Sequence, residues 1–113
     1  MGTNYYAVRN RPTTHDPIHI GKSSIGWRFL FQRQNEKYSE PQVIWNTYEQ
    51  VRDWLKKYTV DSNEYVIMNE YDEIVSFDDL MELIEAKQSE ENTDNFAYAE
   101  NVNGYRFTGE WFI

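Results

Sequence analysis

Two stretches of this chain set a helix-capping side chain directly ahead of apolar residues at helical spacing, and they confine helix to two short segments. In Asn46-Thr47-Tyr48-Glu49 the capping side chain stands three residues before a glutamate, so each can satisfy a backbone N–H that the helix start leaves open. Tyr48, Val51, Leu55 and Tyr58 follow at helical spacing with Trp54 beside them, which predicts a helix over about 47–58. Ser76-Phe77-Asp78-Asp79 repeats the logic with acidic residues in the first turn. There Phe77, Leu80, Met81, Leu83 and Ile84 form the apolar stripe of a second helix lasting to about Lys87. Its other face carries Asp78, Asp79, Glu82 and Glu85.

The rest reads as short strands between turns. Tyr5 to Val8 predicts a first strand, and the two prolines of Arg9 to Pro17 a loop. Ile18 and Ile20 alternate with His19 and Gly21, predicting a strand that enters a turn over Gly21-Lys22-Ser23-Ser24-Ile25-Gly26. Trp27 to Phe31 resumes as strand, with Trp27, Phe29 and Phe31 on one side. Gln32 to Gln42 is polar and predicts a loop. Tyr65 to Met68 and Ile74 to Val75 flank a polar turn at residues 69–73. Gln88 to Asn95 predicts a mobile loop. Beyond it, Asn103-Gly104 sits between Phe96-Ala-Tyr-Ala and Tyr105-Arg-Phe and is a strong hairpin signal, since both turn residues tolerate positive φ. The closing Glu110-Trp-Phe-Ile113 is apolar enough to dock on the sheet. The expectation is an α+β fold, one domain over residues 1–113, with short antiparallel strands and two helices.

At 113 residues the chain has room for one core and one principal surface, not for a conventional two-domain enzyme. It has no cysteine, which removes disulfides, Cys-ligated zinc and thiol nucleophiles together and points to a reducing cytoplasm. No apolar run approaches the roughly 20 residues of a membrane span. The start lacks a signal pattern, and Tyr6 stands where a myristoylated Gly2 would want Ser or Thr.

The net charge of −8 argues against general nucleic-acid binding, because phosphates would be repelled. Its distribution says more. Residues 1–58 hold nine Lys/Arg against five Asp/Glu, a balance of +4, while residues 59–113 hold two against fourteen, a balance of −12. A small protein with such an acidic face can occupy the basic groove of a nuclease or repressor, so Glu70, Asp72, Glu73, Asp78, Asp79, Glu82 and Glu85 are the candidate protein interface. The plainer reading is a solvated acidic face.

Gly21-Lys22-Ser23 echoes the end of a phosphate-binding loop, but the early glycine of that pattern would fall at Asp16, and no helix signal follows Ser24. A looser anion site remains, with His19, Gly21, Lys22, Ser23, Ser24 and Trp27 as candidate ligand-binding residues, weighed against a purely structural turn. His15 and His19 are separated by Pro17, which forbids the helix that would align them on one metal, so neither metal nor other cofactor is expected. No nucleophile or carboxylate pair has local support, so no catalytic residue is assigned. Tyr5, Tyr6, Trp27, Tyr71 and Trp111 could line an interface or belong to the core.

Met1-Gly-Thr-Asn-Tyr-Tyr6, His19-Ile-Gly-Lys-Ser-Ser-Ile-Gly-Trp27, Asn69-Glu-Tyr-Asp72 and Gly104-Tyr-Arg-Phe with Gly109-Glu110 together resemble a family of small proteins from phages and bacterial mobile elements, nearly end to end. Many relatives carry cysteine pairs between the first two motifs, a zinc ribbon, where this chain has none from Ala7 to Ile18, so no zinc role carries over. The resemblance implies a phage accessory role in the host cytoplasm and supplies no activity. The expected function is therefore non-enzymatic binding that inhibits a host protein such as a defence component. The alternative is sequestration of a small anionic ligand such as a nucleotide signal.

Overall fold

The computed structural model describes residues 2–11, 16–90 and 99–110. The elements run β1 (Gly2–Arg9), β2 (Ile18–Ser24), β3 (Leu30–Gln32), β4 (Gln34–Glu36), β5 (Val43–Trp45), α1 (Tyr48–Leu55), β6 (Tyr65–Asn69), β7 (Ile74–Val75), α2 (Phe77–Lys87), β8 (Glu100–Val102) and β9 (Tyr105–Thr108). Seven strands form one sheet in the order β7-β6-β1-β2-β3-β9-β8, antiparallel except where β3 and β9 run parallel. β4 and β5 form a separate hairpin. The fold is α+β. The Cα radius of gyration, 13.5 Å, is close to the ~13 Å of a compact domain of about 100 residues. No helix among the described residues is long and apolar enough to cross a membrane.

Both helices start on capping side chains, one of them a residue later than expected. Thr47, not Asn46, caps α1, its hydroxyl accepting from the backbone N–H of Gln50 at 3.2 Å. Gln50, not Glu49, reaches back, and its side chain accepts from the N–H of Asn46, the residue before the cap, at 2.6 Å. Past Leu55 the chain widens into a π-helical stretch, Lys56–Asp61, in which the Thr59 hydroxyl donates to the Leu55 carbonyl at 2.6 Å. That stretch carries the helical path beyond the expected end at Tyr58 and keeps the Tyr58 ring 4.6 Å from Trp54. Ser76 caps α2 as expected, accepting from the N–H of Asp79 at 3.0 Å.

The strands differ from the sequence reading in three places. β2 runs straight through Gly21, Lys22, Ser23 and Ser24, so the expected turn begins only at Ile25, with Gly26 at φ +80°. The paired strand after it is Leu30–Gln32 rather than Trp27–Phe31. The expected loop over Gln32 to Gln42 contains β4 and is tied down by β5. Pairing across β1 explains the first difference, because Gly2 to Ala7 lie opposite Ser24 to Ile18 and satisfy a ladder that a free loop would leave open. At the other end, Asn103 and Gly104 both adopt positive φ, 53° and 91°, and join β8 to β9 as the Asn-Gly signal requires. The strand before that turn is Glu100–Val102. Residues 96–98, the greater part of the loop predicted at Gln88 to Asn95, and the closing Trp111 to Ile113 lie outside the described residues.

The core joins one face of the sheet to both helices. Ala7, Ile20, Phe31, Ile67 and Phe107 meet Val51, Trp54 and Leu55 of α1 and Leu80 and Ile84 of α2. Phe31 stacks on Phe107 at 4.8 Å across the parallel pair, and Trp45 meets Trp54 edge-on at 5.3 Å. Each buried aromatic removes a large apolar area from water, about 25 cal/mol for every Å².

Candidate functional site

The acidic surface begins in the β6–β7 turn. Asn69 builds that turn with its own side chain, its Oδ1 accepting from the backbone N–H groups of Tyr71 and Glu73 at 2.9 and 3.1 Å. Its Nδ2 donates to the Glu73 carboxylate at 2.7 Å. Asp72 occupies the left-handed region at φ +63°, which Asp tolerates better than most residues. Tyr71 is held 61% exposed at the tip and Ile74 72% exposed on β7. Glu70 leans the other way and accepts from the backbone N–H of Asn4 at 2.7 Å.

From β7 the chain passes through Ser76 directly into α2. Leu80 and Ile84 are fully buried, and that fixes the opposite side of the helix to solvent. Asp78, Asp79, Glu82 and Glu85 are all exposed there, at one-turn spacings. Lys87 is the only lysine of α2, and its ammonium is turned away to the Ser24 carbonyl at 2.5 Å. The ion pairs among the described residues, Arg33 with Glu100 and Arg52 with Asp53, involve none of the seven interface candidates. Among the described residues the acidic face thus makes no ion pair, and Arg52, over the Tyr48 ring, stands as a cation near its Glu85 end. Asp78 and Asp79 also sit where the helix dipole favours negative charge, which supplies a structural reason for those two but not for Glu82 or Glu85.

Glu85 closes this surface. Its carboxylate accepts from the Tyr105 hydroxyl at 2.8 Å, and the Tyr105 ring stacks on Tyr48 at 4.2 Å. Burial, reinforced by the Glu85 carboxylate, pushes the Tyr48 hydroxyl up to about 12 and raises that of Tyr105 further.

The second predicted group is not gathered into a cradle. His19 is 2% exposed, with one ring nitrogen 2.9 Å from Asn4 Oδ1 and the other 3.2 Å from Gln32 Oε1. Gly21 is a packing position, since a Cβ there would drive into the Leu30 carbonyl and the Phe29 ring. Lys22, Ser23 and Ser24 are half-buried opposite Asn4, Thr3 and Gly2. The Ser24 carbonyl receives the N–H of Trp27 and the ammonium of Lys87, so an acceptor, not a nest of donors, marks that strand end. Trp27 packs under the Arg106 guanidinium, 5.2 Å from ring centre to Cζ. His15 and Trp111 lie outside the described residues.

Sequence reasoning missed the polar residues buried on the sheet face opposite the two described helices, Asn4, Gln32, Arg106 and Thr108. Their one signal is alternation, in Leu30-Phe31-Gln32 and Arg106-Phe107-Thr108, where each polar side chain stands beside a core aromatic and points to the other face. A cavity of about 580 Å³ lies beside β5, lined by Arg9, Asp16, Ile18, Glu36, Val43 and Tyr65 among others, with Arg9 5.2 Å over the Tyr65 ring. Compared with known protein families, curated proteins and solved structures, the chain gives no match.

Proposed function

We propose that this protein acts by binding, laying the acidic side of α2 and the adjoining β6–β7 hairpin into a basic groove of another protein. The observation that carries the reading is the exposed stripe Asp78, Asp79, Glu82 and Glu85, which makes no ion pair among the described residues, with the helix's own lysine turned to Ser24. Exposed Tyr71 and Ile74 within the same surface supply the apolar and aromatic anchors that protein interfaces concentrate at their centres. In keeping with the resemblance to phage proteins, the partner is a host protein whose own ligand is an anion, such as a nucleic-acid-binding component of a defence system. The effect is inhibition by occupation, with no chemical step. The alternative, a small anionic ligand held by His19 to Trp27, draws no support from a buried His19 and a strand-paired Gly-Lys-Ser-Ser.

The test is charge reversal at exposed positions of the stripe. Asp78→Lys, Asp79→Lys and Glu82→Lys, with Glu85 kept for its bond to Tyr105, are expected to abolish capture of a host partner and keep the native circular-dichroism spectrum at room temperature, with a somewhat lower melting temperature because two lysines then face the helix dipole. Wild-type capture should weaken steeply with salt, as a charge-steered interface does. Undiminished capture by the triple variant would overturn the reading.

A further inference from the structure

His19 lies in the middle of a hydrogen-bonded line that crosses the sheet face opposite the two described helices. At one end the Glu70 carboxylate accepts from both the backbone N–H and the Nδ2 of Asn4, at 2.7 and 3.2 Å. At the other end Gln32 Nε2 donates to the carbonyls of Thr108 and Glu110, at 3.3 and 3.0 Å. These outer bonds fix which way each amide points, because turning Asn4 over would set its oxygen against a carboxylate, and turning Gln32 over would set its oxygen against two carbonyls. Consequently His19 has an oxygen acceptor at each ring nitrogen, Asn4 Oδ1 at 2.9 Å and Gln32 Oε1 at 3.2 Å. A neutral imidazole carries one N–H and can meet only one of them. An imidazolium carries two and meets both.

We propose that His19 is a proton-operated clamp, which when doubly protonated joins Glu70 of the acidic hairpin through Asn4 and Gln32 to the backbone at Thr108 and Glu110, and when neutral leaves one link open. This goes beyond the binding role and stands without it. Around the ring, besides Asn4 and Gln32, stand the Gly21 backbone, Lys22 on its own strand and the Tyr6 ring at 5.2 Å, with the Glu70 carboxylate one link away beyond Asn4. Burial holds the ring's proton less tightly than a free imidazole does, with the bonds to Gln32 and to the Gly21 backbone opposing and Lys22 reinforcing, so the clamp closes on the acid side of the usual histidine range. The sign for stability follows. A histidine with a lowered folded value contributes stability above its ordinary value, and that stability is lost as pH falls, so closing the line works against global stability.

The experiment is NMR of the isotope-labelled full chain, following imidazole nitrogens and side-chain amides from about pH 8 down to 5, the window in which histidine changes charge. His15→Gln leaves His19 as the only histidine and assigns its signals. Both nitrogens of His19 should carry protons at the acid end, and the side-chain amide resonances of Asn4 and Gln32 should shift with the same midpoint. Glu70→Gln, which removes the negative charge that Asn4 links to the ring, should move that midpoint to lower pH. A ring that stays neutral throughout the folded range, amides that do not move as it titrates, or a midpoint indifferent to Glu70→Gln would each overturn the proposal.

Discussion

The two faces of the sheet solve burial in opposite ways. One packs Phe31, Phe107, Ala7 and Ile67 against two helices and satisfies nothing but shape. The other buries Asn4, His19, Gln32 and Thr108, and each polar group there needs a partner in a defined orientation. Apolar packing tolerates many arrangements of similar volume, whereas a buried polar line is satisfied only when every member is present. The first face therefore holds the fold together, and the second selects one state of it.

The strongest way to break the contrast is on the apolar side. Phe31→Ala removes a fully buried ring that touches Phe29, Phe107, Tyr48 and Tyr105, and should cost about 3–5 kcal/mol. Urea denaturation checks it, and a loss under about 1 kcal/mol would mean that the stacked aromatics are not the centre of the core. On the polar face Gln32→Leu keeps the approximate volume but removes one partner of His19, the donor to the Glu110 carbonyl and one of two donors to the Thr108 carbonyl, which keeps the backbone N–H of Arg33. That should cost about 1–3 kcal/mol, the range for buried groups left unsatisfied. Stability equal to wild type in the same denaturation series would put the line of hydrogen bonds outside the forces that hold the sheet.

That contrast also explains what could be read from the sequence. Helix α2 was legible because Ser76, the acidic first turn and the apolar spacing of Leu80 and Ile84 agree with one another. The Asn103-Gly104 turn was legible because few dipeptides accept two positive φ values. The strand through Gly21-Lys22-Ser23-Ser24 was hidden, because small polar residues read as a turn when their pairing partner, Gly2 to Tyr5, lies far off in sequence. The line through His19 was hidden for the same reason, since Asn4, Gln32 and Glu70 come together only once β1, β2, β3 and β6 are in register. The acidic stripe was visible as composition. What sequence did not show was Lys87 turned to Ser24, the contact that takes the helix's own lysine off the stripe.

The caps sharpen the comparison at smaller scale, because a cap is a polar bond that works within a single turn. Ser76→Ala removes the acceptor for the N–H of Asp79 and should cost about 1 kcal/mol, read as a lower melting temperature. Thr47→Ala should cost less than Ser76→Ala, since Gln50 still reaches back to Asn46 and holds part of the α1 start. An equal loss in the two variants would show that the return bond from Gln50 contributes nothing.

The smallest effect lies where the apolar face reaches the acidic surface, at Tyr105, Tyr48 and Glu85. Both hydroxyls hold their protons more tightly in the folded protein than the ordinary tyrosine value near 10. A group whose folded value is raised contributes stability that is complete below its unfolded value and is lost as pH rises through the folded one. Stability should therefore be level up to about pH 10 and fall above it, toward the value of about 12 at Tyr48. Tyr105→Phe deletes one hydroxyl and its bond to the exposed Glu85, so the loss at neutral pH should be at most about 1 kcal/mol. The alkaline decline should become shallower, because one of the two coupled protons is gone. Urea midpoints measured for both proteins between pH 7 and pH 11 decide it. Parallel curves would mean that the Tyr105 hydroxyl does not link the core to the acidic surface.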